Sequence, residues 1–237
     1  MRVVLLRVGI DTGAGGMHGP LFQDGTFEFI PIPGDDVAPV RTYGNTRGRW
    51  GRFLIEYFPA AVQPRMASVS MHFDPEFETF TYGDPTLPKR GLRTLAPGDL
   101  LVFYAGLQGW DHATTPALYV VGYFEVLRAG LATSFTNEEI HSLFNANAHV
   151  RDPRVLEDQY ERLVLVKGGP GSRLLMRAAC ISEMSTDTVG HPLKVISSRM
   201  RGIFGDFGGR LSLQRSPPRW VDQRHVEVAA RFIRELE

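Results

Sequence analysis

The sequence predicts an α+β fold: a mixed β-sheet or small β-barrel with surrounding helices, closed by an amphipathic C-terminal helix. Three observations lead there. Residues 100–104 ("LLVFY") follow a Pro-Gly-Asp turn and are apolar on both faces, and residues 117–127 ("ALYVVGYFEVL") offer a partner strand of the same character. In segment 26–31, Phe27, Phe29 and Pro31 alternate with Thr26, Glu28 and Ile30, a period of two closed by prolines. The final stretch, "VDQRHVEVAARFIREL", places Val226, Ala229, Ala230 and Ile233 on one helical side.

Other elements follow in order. "RVVLLRV" reads as a buried strand that runs into the glycine loop "GIDTGAGG". Residues 34–64 are loop-rich around an apolar island, "RFLIEYF", and Pro75 in "SVSMHFDPEFETFTYGDP" is ill-suited to a central strand. Gly122 marks a bulge or a close backbone approach. Thr136 begins a helix with Glu139 in the capping-box position. "YERLVLVKG" reads as a strand and "SRLLMRAACIS" as a short helix starting near Ser172. With neither repeat nor linker, a single domain over 1–237 is expected.

Composition narrows the class. The 237 residues are 43% apolar and 22% charged, as in globular proteins. No apolar run approaches the roughly 18 residues of a membrane span. The N-terminal stretch is too short and too interrupted by Arg7 for a signal peptide. Cys180, the single cysteine, has no disulfide partner in the chain, which suits a reducing cytoplasm, and its apolar neighbours suggest burial. The formal charge is zero, so no global footprint for nucleic acid exists. Arginines nonetheless cluster: four in 41–52 with no acid, and six in 199–224 against Asp206 and Asp222. Either base composition trades Lys for Arg throughout, or these residues make bidentate contacts to phosphate and guanine.

"GIDTGAGG" has the tripeptide of an aspartic protease, but only ten residues precede Asp11 and no second Asp-Thr-Gly follows. A dinucleotide loop needs its third glycine where His18 stands, and a phosphate loop needs Lys where Met17 stands. What remains is a loop carrying Asp11, Thr12 and His18, available for turn hydrogen bonds or acid–base work. In "HFDPEFE", an extended backbone puts His72, Asp74, Glu76 and Glu78 on one face, as a metal or acid–base set or as a solvated edge. No spacing completes a ligand set, so no metal site is assigned, and His112, His141, His149, His191 and His225 read as ordinary surface or core histidines. Asp11, His72 and Asp74 are the catalytic candidates. "LVKGGPGSRLL" brings Lys167, Ser172 and Arg173 to a glycine turn, an anion cradle or a plain turn. "LQRSPPRWV" sets Gln214, Arg215 and Arg219 around rigid prolines, with Trp220 following. Tyr104 and Trp110 offer stacking faces, or core packing in the case of Tyr104.

"PGDLLVFYAGL" followed by "YVVGYFEV" resembles the core hairpin of PUA-like domains (the PUA, ASCH, EVE and YTH group), which implies a small barrel that binds RNA or modified bases. Over nearly its whole length, through "VGIDTGAGGMHGPLFQDGTFEFIPIP", "HFDPEFETFTYGDP", "LVKGGPGSRLL" and "LQRSPPRWV", the chain resembles the nucleotide-modification-associated domain of type three. That family occurs in bacteria and phages, and the resemblance implies a role with modified nucleobases, without a stated reaction or cofactor. The leading expectation is binding of a nucleotide, or of a modified nucleobase in DNA or RNA, in a modification or defence context. The alternative is an enzyme acting on a nucleotide or nucleobase by acid–base or metal-assisted chemistry; a third reading is a non-catalytic subunit of a modification complex. Expected partners are nucleotide or nucleic acid and proteins of the modification system, with no membrane and with oligomeric state open. An enzyme should gather Asp11, His72 and Asp74 around one pocket. A reader should show an aromatic cage with few titratable groups.

Overall fold

A computed structural model describes residues 1–35, 40–214 and 217–237. Its strands are β1 (Val3–Arg7), β2 (Gly19–Leu21), β3 (Ile32–Pro33), β4 (Met71–His72), β5 (Thr81–Asp84) and β6 (Leu100–Gly109), followed by β7 (Ala117–Leu131), β8 (Val164–Gly168), β9 (Arg173–Cys180), β10 (Ser182–Thr186), β11 (Pro192–Ile196) and β12 (Arg219–Trp220). The helices are α1 (Gln63–Met66), α2 (Asn137–Phe144), α3 (Pro153–Gln159), α4 (Ser198–Phe204) and α5 (Val226–Arg234).

Strands with no polar face need cover on both sides, and the apolar hairpin β6–β7 accordingly sits at the centre. It pairs from Leu100↔Glu125 to Leu107↔Ala117. On the outer edge of β6, β1 and then β2 pair in parallel, so the glycine loop between them leaves the sheet and returns to it. On the outer edge of β7, β9 and β8 pair in succession, and β5 adds to β8. β12 pairs with β1 at the other end.

The result is an eight-stranded mixed sheet in the order β12-β1-β6-β7-β8-β5, with β2 and β9 as side branches. Among the described residues the sheet does not close, which corrects the barrel expectation. Closure would require β5 to meet β12, and the two residues of β12 offer almost no ladder for it.

The expected feature at Gly122 is present. The register shifts beside it on both neighbouring strands, and a Cβ there would lie 2.7 Å from Phe77 and 2.8 Å from the Arg173 carbonyl. Segment 26–31 forms only isolated bridges, and Glu28, expected on a polar face, is buried. The reason is cover on both sides: Phe27 belongs to the main core and Ile30 to a second cluster with Ile10, Tyr43 and Met71. The helix expected from Ser172 is strand β9, because after the turn at 169–172 the chain continues antiparallel to β7, as β8 does before it. Cys180 is exposed at its end.

α2 carries the predicted capping box: Thr136 Oγ1 accepts from Glu139 N at 3.2 Å, and Glu139 Oε2 accepts from Thr136 N at 2.9 Å. Behind it, Phe135, Ile140 and Phe144 form a third apolar cluster that anchors the segment leading to His149. α5 buries Val226, Ala229, Ala230 and Ile233. Among the described residues no helix is long and apolar enough to cross a membrane.

Candidate metal centre

The ribbon β3–β4 pairs Ile32 with His72, and strand β5 lies beyond the turn that follows Asp74. Asp74 is fixed by Gly83 of β5, whose N–H donates to both carboxylate oxygens at 2.9 and 3.1 Å. The segment after α2 is docked on the same strand: buried Asn147 reaches Thr81 through its side-chain amide and accepts from the backbone N–H of His149. Gly83 permits this approach, because a Cβ there would lie 2.8 Å from Asn147 Oδ1 and 3.0 Å from His149 Cδ2.

These contacts bring His72, Asp74 and His149 together, with ligand atoms all within 4.8 Å of one another. Asp74 Oδ2 lies 3.4 Å from His149 Nε2 and 3.9 Å from His72 Nε2. The two imidazoles meet edge to face at 4.7 Å. His149 Nδ1 donates to Gln159 Oε1 at 2.7 Å, which leaves Nε2 as the nitrogen that faces the carboxylate. Nε2 and a carboxylate oxygen both present lone pairs, so a positive species must lie between them.

A proton can take that place, and the direction in which His149 is shifted favours it. Burial pushes His149 down, but the hydrogen bond and charge of Asp74, with help from Gln159, lift it above the ordinary histidine value. Asp74 is itself pushed up by burial, against the pull of His149. Burial keeps His72 below the ordinary histidine value, Asp74 opposing it. A divalent cation can replace the proton: two imidazoles and one carboxylate form a borderline donor set that suits zinc, iron(II) or manganese. The partners of His149 Nδ1 and of Asp74 are the outer contacts that orient metal ligands.

The centre opens into a cavity of about 180 Å³ that Arg7, Asp11, His72, Asp74, Tyr82, Asp84 and Lys89 help to line. On one wall Asp84 Oδ2 pairs with Lys89 at 2.8 Å and accepts from the Tyr82 hydroxyl at 3.1 Å. Burial, then the negative charges of Asp84 and Asp74, hold the Tyr82 phenol well above its usual value. On the other wall Asp11 Oδ2 pairs with Arg7 at 2.8 Å, while its Oδ1 accepts from the N–H groups of Gly13 and Ala14. The glycine loop is therefore a turn closed by Asp11, whose other oxygen pairs with Arg7 at the cavity. His18 packs against Gly106 and is kept below the ordinary histidine value by burial, then by Lys194 and Arg7.

The match to the family described as nucleotide modification associated domain 3 spans residues 2–235. The chain belongs to that family. No curated protein and no solved structure matches it.

The other residues predicted for this nucleotide-modification-associated chain lie elsewhere. Tyr104 is fully buried, its hydroxyl donating to the Leu213 carbonyl at 2.9 Å, so it is a core residue and offers no stacking face. Trp110 is exposed in a cavity of about 440 Å³ with Phe22, Trp50 and Tyr57, and Arg52 lies 4.9 Å over its ring. The Lys167 ammonium donates to the Thr79 carbonyl, and Ser172 Oγ accepts from Glu125 N at 3.1 Å. Both therefore hold backbone, and no helix N-terminus follows them to cradle an anion. Arg173 is exposed at the rim of a third cavity. Gln214 gives its carbonyl to Arg7, and Arg219 donates to the Ser212 carbonyl at 2.8 Å. Arg215 lies outside the described residues.

Glu76 also leaves the expected face. Beyond the cis Asp74–Pro75 bond it turns inward to accept from Thr79 N, and Glu78 is left exposed beside Arg41. Sequence reasoning missed His149, and nothing in its spacing marked it. Only the polar sequence "NANAH" in a place that proves buried distinguishes the segment.

Proposed function

We propose that the protein is a metal-dependent enzyme acting on a nucleotide or nucleobase, in a base-modification or defence setting, with His72, Asp74 and His149 holding one divalent cation. The observation that carries this reading is the convergence of two imidazole nitrogens on a single oxygen of a buried carboxylate, beside a polar cavity. Membership of the nucleotide-modification-associated family supports the substrate class. Three protein ligands leave coordination positions open towards the cavity. A cation there would supply Lewis acidity or an activated water. Lys89 and Arg7, each fixed by a carboxylate, face the same space and suit an anionic substrate group.

The test is cation uptake by the purified protein, together with a thermal-shift screen of nucleotides and modified nucleosides. Uptake and a cation-dependent substrate response, both lost in His72→Ala and His149→Ala, support the enzyme. Wild-type and variant proteins that behave alike contradict it.

A second reading, a reader of bases, is favoured by the cleft of Phe22, Trp50, Tyr57 and Trp110, whose ring centroids lie 5.4–6.2 Å apart in edge-on and tilted contacts. Trp50 and Trp110 are 40% and 39% exposed, unusual for this residue type, and each offers a face to a base. Salt-sensitive oligonucleotide binding that is lost in Trp110→Ala and indifferent to cation would favour this reading over the first.

A further inference from the structure

Next to the metal centre the chain builds another cavity, of about 500 Å³. Residues 72–75 serve both: His72 and Asp74 line the polar cavity, whereas Phe73 and Pro75 line this one. The chain leaves β4 at His72 and turns, the Asp74 N–H donating to the His72 carbonyl at 3.0 Å.

The lining of this second cavity includes the rings of Phe29 and Phe73, the arginines Arg41, Arg47 and Arg173, and the carboxylates of Glu76 and Glu78. Arg41 lies 4.1 Å over the Phe73 ring and pairs loosely with exposed Glu78 at 3.5 Å. Arg47 donates to the Gly51 carbonyl, and Arg173 lies 5.7 Å over Tyr123. Among the described residues neither Arg47 nor Arg173 has a carboxylate within salt-bridge distance.

Glu28 also lines this cavity. It is 4% exposed, and its Oε2 is buried with no hydrogen-bond partner among the described residues. The carboxyl sits so close to the 48–50 loop that a Cβ on Gly48 would lie 2.2 Å from Oε2. Burial lifts Glu28 above the usual carboxylate range, against the pull of the Arg49 and Trp50 N–H groups. An unpaired buried acceptor is costly to maintain. Set beside aromatic rings and the guanidinium groups of Arg47 and Arg173, which have no carboxylate partner among the described residues, it has the polarity that a base edge and a phosphate would complement.

We propose that this cavity seats a nucleotide: its base packs against the rings that line the cavity and donates an exocyclic amino N–H to Glu28, and its phosphate lies against Arg47 and Arg173. This goes beyond the cation centre and does not rest on it, because the two cavities share a chain segment but no liganding side chain. The shared chemistry is an amino-bearing base with a phosphate, delivered as a free nucleotide or as a base extruded from a strand.

Isothermal titration calorimetry on the full chain tests this, using AMP, GMP, CMP, IMP and UMP as probes beside short single-stranded oligonucleotides. AMP, GMP and CMP should bind at least about tenfold more tightly than IMP and UMP, because a buried acceptor left unpaired penalises a base without the amino group. Glu28→Gln should erase that preference. Arg173→Gln, at an exposed position where folding is not at stake, should weaken nucleotides about tenfold and the matching nucleosides little. Binding of mononucleotides assigns the free form; binding of oligonucleotides alone assigns the extruded base. Equal affinity for amino and non-amino bases, or an Arg173→Gln protein that binds like wild type, overturns the proposal, as does the absence of binding by any probe. Cation uptake measured on the same samples separates a failure of this seat from a failure of the His72–Asp74–His149 centre.

Discussion

The cavity over His72, Asp74 and His149 and the two aromatic cavities are built on opposite principles. The first encloses about 180 Å³ and is lined by titratable side chains, most of them with a fixed partner. The others enclose about 440 and 500 Å³ and are lined with rings, arginines and carboxylates. Small-molecule sites run from about 300 to 1,000 Å³, so the polar cavity has room for an ion and a reacting group, and the aromatic ones for a whole nucleotide. Segment 72–75 separates two of these cavities: His72 and Asp74 line the polar one, and Phe73 and Pro75 the 500 Å³ one.

The strongest way to break this division is to remove a ligand. His149→Ala should lower divalent-cation affinity by at least about a hundredfold, through lost ligation, as read by competition with a chelator. Gly83→Ala comes next. Its Cβ would press on Asn147 and His149, and such overpacking costs about 1–3 kcal/mol, measurable by urea unfolding, with cation affinity falling alongside. Gln159→Leu removes only the acceptor of His149 Nδ1 and should weaken the cation by roughly tenfold.

The charge state sharpens the comparison further. His149 is raised in the folded protein, so its contribution to stability is fully present below the unfolded value of about 6.5 and is lost as pH rises through the folded one. In chelator, the stability advantage of wild type over His149→Gln should therefore shrink as pH increases. Cation affinity should move the other way and grow with pH, because the cation displaces that proton. The smallest effect is expected far from both cavities. Thr136→Ala removes the cap of α2 at about 1 kcal/mol, with cation affinity unaltered.

How much of this was legible in sequence depended on range. The β6–β7 hairpin, the bulge at Gly122 and the capping box of Thr136 and Glu139 were readable because each is written in neighbouring residues. "SRLLMRAAC" misled because Leu, Met, Arg and Ala favour helices, while the free edge of β7 imposed a strand. His72 and Asp74 were readable as one face, but only as far as Pro75. The third ligand, His149, comes from a distant segment held by Gly83 and Asn147, and no local pattern encodes that approach. Glu28 looked like the polar face of an alternating strand, and only the cover from both cores shows that it is buried. The glycine loop, the most conspicuous motif, is a turn closed by Asp11, which also pairs with Arg7, and matches none of the enzymes it brings to mind.

The most direct measurement of the central claim is elemental analysis of wild-type protein and His149→Ala after equilibration with zinc, manganese or iron(II) and removal of free ion. The account predicts one divalent ion per wild-type chain and none in the variant, with both proteins folded by circular dichroism. Equal metal content in the two, or a wild-type chain that retains no ion from any of the three, would contradict it.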